Sequence, residues 1–383
     1  MSISRRAFLN RSAIGLVAGL SPTSIRSLLA QGMPQATDGD EELRAMLSEN
    51  AKALYNDFYM RSGLADNGQV PRSPDCASPD VWLNGPKLLP DPINSLVNTY
   101  NQQSPTEIYV GQKNYIYVRC RNLGPDRNKG QIRLYYVPSQ IAMWPRLWSQ
   151  NKLKTDTGSE TVAVNATYHN QIVGAAEPFT WAAPPPPSGS DHYCMVGQVV
   201  TASHPNPIPD VQYLEALAAW QANNPGIGWK NIAAVDRDRP TWQENVAYQH
   251  ERTDSDVYML IDCLNVPNDC YVALSSGASG PSPAIDIQKT RIDTGPSWSK
   301  GILTRIPANY QANLTLSFWK GAQALPGNLS ISIRSIKVTT AKSFAESYFE
   351  QLGVIESYQV DSKDGLKPVK GYPIGRMNFI PKI

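Results

Sequence analysis

Two pairs of aspartates have a spacing that suggests metal chemistry. The pairs are Asp236 with Asp238 and Asp254 with Asp256, and Glu244 lies between them. Carboxylate oxygens are the ligands that calcium prefers, and about six to eight oxygens complete its coordination shell. If the pairs converge at a joint between two domains, they predict a calcium site, and no other cofactor is predicted. Arg237 and Arg239 favour the alternative of a solvated linker whose charges pair with one another.

Three tryptophans suggest a different chemistry, the recognition of a ligand surface. Trp144 and Trp148 follow a predicted strand in a loop, where large apolar side chains are unusual, and Trp220 lies in a predicted helical insertion. Such rings stack on sugars or anchor a protein partner. The sequence therefore predicts a binding surface at Trp144, Trp148 and Trp220. The alternative is that these rings close one end of a folded domain and pack in its core.

The five cysteines suggest disulfide chemistry, provided that the chain is exported. Cys120 and Cys194 lie in predicted strands, which favours a bridge between two packed sheets. Cys263 and Cys270 flank turn-forming residues, which favours a local bridge. Cys76 is left over. The alternative is that some or all of the five are buried thiols, because pairing cannot be deduced from sequence.

The motifs of common enzyme classes are missing from the sequence. It contains no G-x-S-x-G elbow, no H-E-x-x-H helix, no phosphate-binding loop and no G-x-G-x-x-G after a strand. Its four histidines are far apart: His169, His192, His204 and His250. The sequence therefore favours a protein without catalytic residues. A site assembled from distant positions remains the alternative.

The first 32 residues have the pattern of an export address. The sequence S-R-R-A-F-L at 4–9 precedes a short apolar run at 13–20, and small residues follow at 30–32. This pattern resembles a twin-arginine signal, and the resemblance implies a periplasmic or extracellular protein that is exported already folded. No apolar stretch reaches the about 20 residues that a membrane-spanning helix needs, so no transmembrane segment is predicted.

Composition excludes some partners. The chain has 383 residues, of which 41% are hydrophobic and 18% are charged, which is typical of a folded protein. Its net charge is +2, but four of the 35 basic residues lie in the export address, which leaves 31 against 33 acidic residues. A nearly neutral body gives no support to nucleic acid or an anionic membrane as the main partner.

The elements that must position these residues change in type along the chain. Apolar residues at helical spacing predict a helix over 41–63, within an N-terminal segment at 33–77. Short alternating runs then predict seven strands, at 80–83, 114–121, 131–137, 160–165, 178–181, 192–200 and 229–235. Seven short strands are typical of an immunoglobulin-like sandwich at 78–239. Helical spacing at 209–224 predicts an insertion before its last strand.

The first sandwich resembles a known family in the order of its motifs. A strand ends in Asn122-Leu123-Gly124, an aliphatic and aromatic strand follows at 132–136, and Phe179-Thr180-Trp181 with a proline run precedes His192-Tyr193-Cys194. This order is similar to that of the CARDB-type bacterial extracellular domain, over residues 78–236. The resemblance implies an immunoglobulin-like sandwich used in adhesion or beside secreted enzymes, and it implies no catalytic residues.

A second β region follows a charged linker at 236–240. Its predicted strands are at 257–264, 271–274, 284–287, 302–306, 314–319 and 329–338. They define a second sandwich at 240–340, and a tail at 341–383 holds a helical turn at 344–352 and a strand at 374–380. The predicted fold class is therefore mainly β, with two sandwich domains in tandem, an N-terminal helix and a short helical insertion.

These features predict an exported, non-catalytic protein of the binding or adhesion type. Its ligand would be a protein or a surface glycan, held by the loop aromatics. One alternative is an exported enzyme or redox accessory protein that carries a metal or another cofactor. A second alternative is a structural subunit of a larger secreted assembly.

Overall fold

The computed structural model describes residues 38–50, 55–72, 76–124, 126–188, 190–232, 234–235, 238–277, 280–293, 295–339, 343–362 and 365–381. The predicted export address at 1–32 therefore lies outside the described residues. The helices are α1 (Asp38–Asn50), α2 (Pro92–Asn98), α3 (Leu214–Asn223) and α4 (Phe344–Gln351), with a 3-10 turn at Pro145–Leu147. None of the helices in these ranges is long and apolar enough to span a bilayer.

Twenty strands make up the rest of the regular structure of the described residues. The strands of the first half of the chain are β1 (Phe58–Tyr59), β2 (Val81–Leu83), β3 (Lys113–Asn122), β4 (Lys129–Pro138), β5 (Lys154–Thr155), β6 (Val162–Asn165), β7 (Ile172–Gly174), β8 (Phe179–Ala182), β9 (Tyr193–Thr201) and β10 (Ile227–Asn231). The strands of the second half are β11 (Ala234–Val235), β12 (Thr241–Gln249), β13 (Ser255–Leu264), β14 (Tyr271–Ser275), β15 (Asp286–Arg291), β16 (Ser297–Ile306), β17 (Gln311–Trp319), β18 (Ser330–Val338), β19 (Glu356–Ser362) and β20 (Gly365–Pro381).

The first sandwich is built around β3 and β9, the central strands of its two sheets. In one sheet β3 pairs with β1, β2, β7 and β8, and β5 joins at β8. The other sheet has the order β10-β9-β4-β6. Alternate residues of facing strands, such as Val118 and Leu134, are fully buried between the sheets. The apolar alternation of both strands thus closes the sandwich.

The second sandwich packs a sheet of order β11-β20-β18-β13-β16 against a sheet of order β12-β17-β14-β15. The long C-terminal strand β20 pairs antiparallel with β18 and lies between it and β11, while β19 pairs with β20. The tail predicted at 341–383 therefore completes this sheet and does not form an edge. The protein is mainly β, with two sandwiches in tandem, which confirms the predicted fold class.

A continuous apolar core joins the two sandwiches. Residues of β9, β10, β13 and β20 share it with the three helices α1, α3 and α4. Two backbone hydrogen bonds reinforce the joint, because Ile141 N donates to Ala247 O at 3.1 Å and Ala247 N donates to Ser139 O at 3.2 Å. The chain that follows β4 is thereby fixed against β12. The predicted insertion forms α3 and belongs to this core, since nine of its ten residues are buried.

The structure corrects the helix predicted at 41–63. In the described residues the helix ends at Asn50, and Phe58 and Tyr59 instead form strand β1, paired with Asn122 and Arg121 of β3. Met60 then donates its backbone N–H to Pro225 O at 2.8 Å. Aromatic residues at 55 and 58 fit helical spacing by chance, but the unpaired edge of β3 provides hydrogen-bond partners for an extended chain.

The structure also corrects both predicted disulfides, since all four cysteines are thiols. Cys120 points into the first sandwich, whereas Cys194 points to the other face of its sheet, into the shared core, where its Sγ lies 3.8 Å from Asn231 Oδ1. Cys263 lies on β13, whereas Cys270 immediately precedes β14 of the other sheet of the second sandwich. Burial raises the pKa of the Cys194 thiol to about 12. Cys76 is buried as well.

Candidate functional site

The three tryptophans of the predicted binding surface lie in the shared core. Trp144 and Trp148 are 0% exposed and Trp220 is 3% exposed. Trp148 stacks on Trp220 with ring centroids 6.3 Å apart, and both meet Trp229 edge to face at 5.6 Å. Buried rings cannot contact a ligand, so the prediction of a surface at these three residues is wrong. The alternative, that they close one end of a domain, describes their packing.

The chain that carries the first two tryptophans, residues 139–150, is here named the anchoring segment. Trp144 donates its indole N–H to Gln249 O at 2.9 Å, and Trp148 donates to Met143 O at 3.2 Å. Pro145 opens a single 3-10 turn between them, where its fixed φ suits the first helical position. The rings and their hydrogen bonds thus hold this loop rigidly against β12. Ile141, Ala142 and Met143 are buried in the same core, whereas Gln140, Arg146 and Leu147 line cavities.

A cavity of about 680 Å³ lies between the anchoring segment and the second sandwich, and it is here named the neutral cleft. One wall is the anchoring segment with Gln140 and Leu147, and the other is the loop after β14 with Ser276 and Gly277. None of the thirteen described residues that line the cleft carries a charge at neutral pH. It is a polar, uncharged site.

The floor of the neutral cleft is the exposed face of β12 and β17. These strands pair so that Gln249 lies opposite Gln311 and Ala247 lies opposite Asn313. On β17 the residues Gln311 and Asn313 are exposed, whereas the residues between and after them, Ala312 and Leu314, are buried in the sandwich. The period-two alternation of a half-buried strand therefore places a row of amides along the cleft.

One polar atom of the cleft lacks a partner in the structure. Gln140 Oε1 is buried, and it accepts no hydrogen bond within the described part of the chain. An unsatisfied buried acceptor costs about 1–3 kcal/mol, and most native structures avoid it. Thr315, further along β17, donates its hydroxyl to Asn245 Oδ1 at 2.6 Å, which fixes that end of the floor. The cleft thus presents fixed amides beside one buried acceptor that has no partner in the described part of the chain.

A second cavity, of about 370 Å³, surrounds His192. His192 Nδ1 lies 3.4 Å from Glu244 Oε2, and its Nε2 lies 3.4 Å from Met377 Sδ. The two residues that the sequence left as an isolated histidine and a calcium candidate are therefore brought together. Tyr109 and Val110 at the rim are 41% and 49% exposed.

A buried hydrogen-bonded row resembles part of a hydrolase site. His250 lies 3.0 Å from the Ser255 hydroxyl through Nε2 and 2.9 Å from the Tyr248 hydroxyl through Nδ1. A catalytic histidine would have a carboxylate at Nδ1, whereas the nearby Glu251 lies 3.9 Å from Nε2. Burial lowers the pKa of His250 to about 4, so this imidazole is neutral at pH 7. The arrangement stabilises the core and gives no nucleophile that substrate can reach.

The structure does not gather the acidic pairs of the predicted calcium site. Asp254 accepts a hydrogen bond from Ala308 N at 3.0 Å, and Asp256 pairs with Arg305 at 3.4 Å. Asp238 is exposed, and Asp236 lies outside the described residues. Among the described residues no group of three or more His, Cys, Asp or Glu side chains could hold a metal ion. Asp254 and Asp256 are therefore engaged outside the linker, and the alternative of a salt-bridged linker at 236–240 stays a prediction.

The sequence indicated the anchoring segment but not the residues of the cleft. No strand is predicted over 241–249, although Trp242, Val246 and Tyr248 lie on one face of β12 and are buried. The same alternation in β17 was recognised, but only its apolar members were assigned a role. The sequence signal for the cleft is the set of amides on the polar face of two paired strands, namely Gln249, Gln311 and Asn313.

Comparison with known proteins gives structural neighbours of low sequence identity. No family model matches the chain, and no curated protein matches it. Among solved structures, an uncharacterised protein from Burkholderia cenocepacia is 10% identical, covers 83% of this chain and 94% of its own, and has a TM-score of 0.18. The collagen adhesin of S. aureus is 10% identical, covers 73% of this chain and 94% of its own, and has a TM-score of 0.16. The collagen binding domain of the Erysipelothrix rhusiopathiae surface protein RspB is 9% identical, covers 72% of this chain and 93% of its own, and has a TM-score of 0.14.

Proposed function

We propose that this chain is an exported binding protein that holds a neutral glycan in the cleft between its two sandwiches. The observation that carries the proposal is the row of uncharged amides on β12 and β17, facing the rigid anchoring segment. Amides donate and accept at fixed positions, and sugar hydroxyls do the same, so the two are complementary without charge. The S-R-R-A-F-L sequence at 4–9 supports export, and the motif order at 78–236 supports kinship with CARDB-type domains.

Rigidity of the walls supports binding as the role of the cleft. The anchoring segment is fixed by Trp144 and Trp148, and the floor is fixed by the pairing of β12 with β17. A preorganised site loses little conformational entropy when a ligand binds, which favours affinity. A rotation of the Gln140 side chain would let its buried, unpartnered Oε1 accept from a ligand hydroxyl, so binding would remove a cost that the free protein carries.

The test is binding to a panel of immobilised neutral polysaccharides, namely dextran, mixed-linkage β-glucan, galactomannan and cellulose. We expect at least one of them to retain the wild-type protein. The variant that combines Gln311→Ala and Asn313→Ala should bind it about tenfold more weakly, because each neutral hydrogen bond contributes about 0.5–1.5 kcal/mol. Affinity is measured by isothermal titration calorimetry with soluble oligosaccharides of the retained polymer.

Gln288→Ala is the matched control, since Gln288 is also an exposed glutamine on a strand of the same sheet but does not line the cleft. It should bind as the wild type does. Equal weakening by Gln288→Ala, or unchanged binding by the double variant, would contradict a site in the cleft. Retention on none of the polymers would contradict a neutral glycan as the ligand.

A further inference from the structure

A third cavity, of about 580 Å³, lies on the first sandwich beside the same anchoring segment, and it is here named the basic groove. Its base is formed by Arg133 and Tyr135 of β4 and by Gln198 of β9, and Arg146 of the anchoring segment forms part of one wall. The opposite wall is the loop at 205–210. Unlike the neutral cleft, this groove is charged.

The groove concentrates positive charge on a nearly neutral protein. Arg133, Arg146 and Lys152 line it, and Asp210 is the one carboxylate among its thirteen described lining residues. The whole chain has 35 basic and 33 acidic residues, so this excess is local. A cavity with one sign of charge attracts ligands of the opposite sign.

These charges are available to a ligand. In the described part of the chain neither Arg133 nor Arg146 forms an ion pair with a carboxylate. Lys152 pairs with Glu160 at 3.1 Å, but both side chains are about 40% exposed, at 38% and 41%. An exposed pair of this kind contributes little and exchanges easily for another anion.

The groove is also held in place. The Arg146 guanidinium lies 4.6 Å from the centre of the buried Trp144 ring, which supports it from below. The Tyr135 hydroxyl donates to Gln198 Oε1 at 3.0 Å, and Gln198 Nε2 donates to Asn206 O at 2.6 Å. This chain of bonds ties the wall at 205–210 to the base. Prolines in that wall fix their φ angles and stiffen it further.

We propose that the basic groove binds an acidic polysaccharide, at a site separate from the neutral cleft. Guanidinium groups bind carboxylate and sulfate groups with two parallel hydrogen bonds, which a lysine cannot do. Three cations on different elements match anionic groups repeated along a chain rather than a single ion. The apolar wall of Pro207, Ile208 and Pro209 provides contact for the faces of sugar rings.

The experiment compares heparin, which carries sulfates, polygalacturonate, which carries carboxylates, and neutral dextran, each titrated into the full exported protein. We expect binding to at least one polyanion, weakening with added salt as the charges are screened. The variant that combines Arg133→Gln and Arg146→Gln should bind it at least about tenfold more weakly, because charge-assisted hydrogen bonds contribute about 1.5–3 kcal/mol each. Which polyanion binds identifies the acidic group.

Arg305→Gln is the matched control, because Arg305 is an exposed arginine of the second sandwich, with 60% of its side chain exposed. Weakening by this control equal to that of the double variant would overturn the proposal, since any loss of charge would then suffice. Absence of polyanion binding at low salt would overturn it too. So would tighter binding of poly-glutamate, which would make an acidic protein the partner.

The two sites are tested independently. The arginine variant should keep whatever neutral glycan the wild type binds, and the variant with Gln311→Ala and Asn313→Ala should keep polyanion binding. Loss of both ligands in the arginine variant, with its circular dichroism unchanged, would overturn a separate site. If no neutral glycan binds but a polyanion does, the proposed function fails while the basic groove stays supported.

Discussion

On one side of the anchoring segment Trp144 and Trp148 are fully buried among other rings, and on the other side Gln140 and Arg146 line cavities. The same short loop therefore carries residues that support the fold and residues that can meet a ligand. Large apolar side chains are the more conspicuous in the sequence, but burial gives them the structural role. The difference teaches that conspicuous loop aromatics can fix a binding loop without touching its ligand.

The largest expected effect on stability comes from a substitution on the buried side of the anchoring segment. Trp148→Ala removes a ring that packs on Trp220 and Trp229, and we expect a loss of about 3–5 kcal/mol in the free energy of unfolding. Urea unfolding followed by circular dichroism measures it. Trp319→Ala, at a half-exposed tryptophan at the end of β17, should cost clearly less. Equal losses for the two variants would mean that the stacked rings give no special support.

A second prediction compares a buried lysine with an exposed one in the pH dependence of stability. Lys230 on β10 is 1% exposed, and its ammonium donates to Ser104 O at 3.2 Å. Burial, together with the nearby Arg119, lowers the pKa of Lys230 to about 7. Between about pH 7 and about pH 10.5 the unfolded chain therefore binds more protons than the folded one, so this lysine makes stability rise with pH.

Lys230→Met should remove that rise. Urea unfolding between about pH 7 and about pH 9 should show the wild type gaining up to about 1.4 kcal/mol per pH unit relative to the variant. Lys152→Met, at an exposed lysine, is the matched control for the loss of one lysine. Parallel pH profiles for the wild type and Lys230→Met would show that the buried ammonium keeps its ordinary pKa.

What the sequence could predict depended on whether the signal was local. The alternation at 314–319 identified β17, and helical spacing at 209–224 identified α3, because each pattern lies within one element. The direction of Cys194 could not be foreseen, since both faces of β9 are buried, one in the first sandwich and one in the shared core. A strand with two buried faces loses the contrast that tells which way a side chain points.

The candidate site was harder to predict from the sequence, because no signal within one element indicates it. The neutral cleft takes residues from the anchoring segment, from β12 and from β17, which are far apart in the chain. These elements lie close together because of the backbone hydrogen bonds between Ile141 and Ala247, which join the two sandwiches. No local sequence pattern predicts that joint. The cleft is therefore a product of how the two sandwiches are joined, and only the anchoring segment could be picked out beforehand.

The smallest expected effect on stability is at the cavity side of the anchoring segment. It gives the clearest distinction between residues that support the fold and residues that bind a ligand. Gln140→Ala removes a buried acceptor that has no partner among the described residues, and the relief of its desolvation cost offsets the packing that the side chain loses, so the free energy of unfolding should change by no more than about 0.5 kcal/mol. The same variant should weaken neutral glycan binding about tenfold, because a ligand hydroxyl loses the oxygen that accepts its hydrogen bond. If Gln140→Ala keeps or raises the free energy of unfolding while it lowers the affinity for the glycan, Gln140 serves binding and not stability. A loss of more than about 1 kcal/mol with unchanged binding would instead place Gln140 with the tryptophans, among the residues that support the fold.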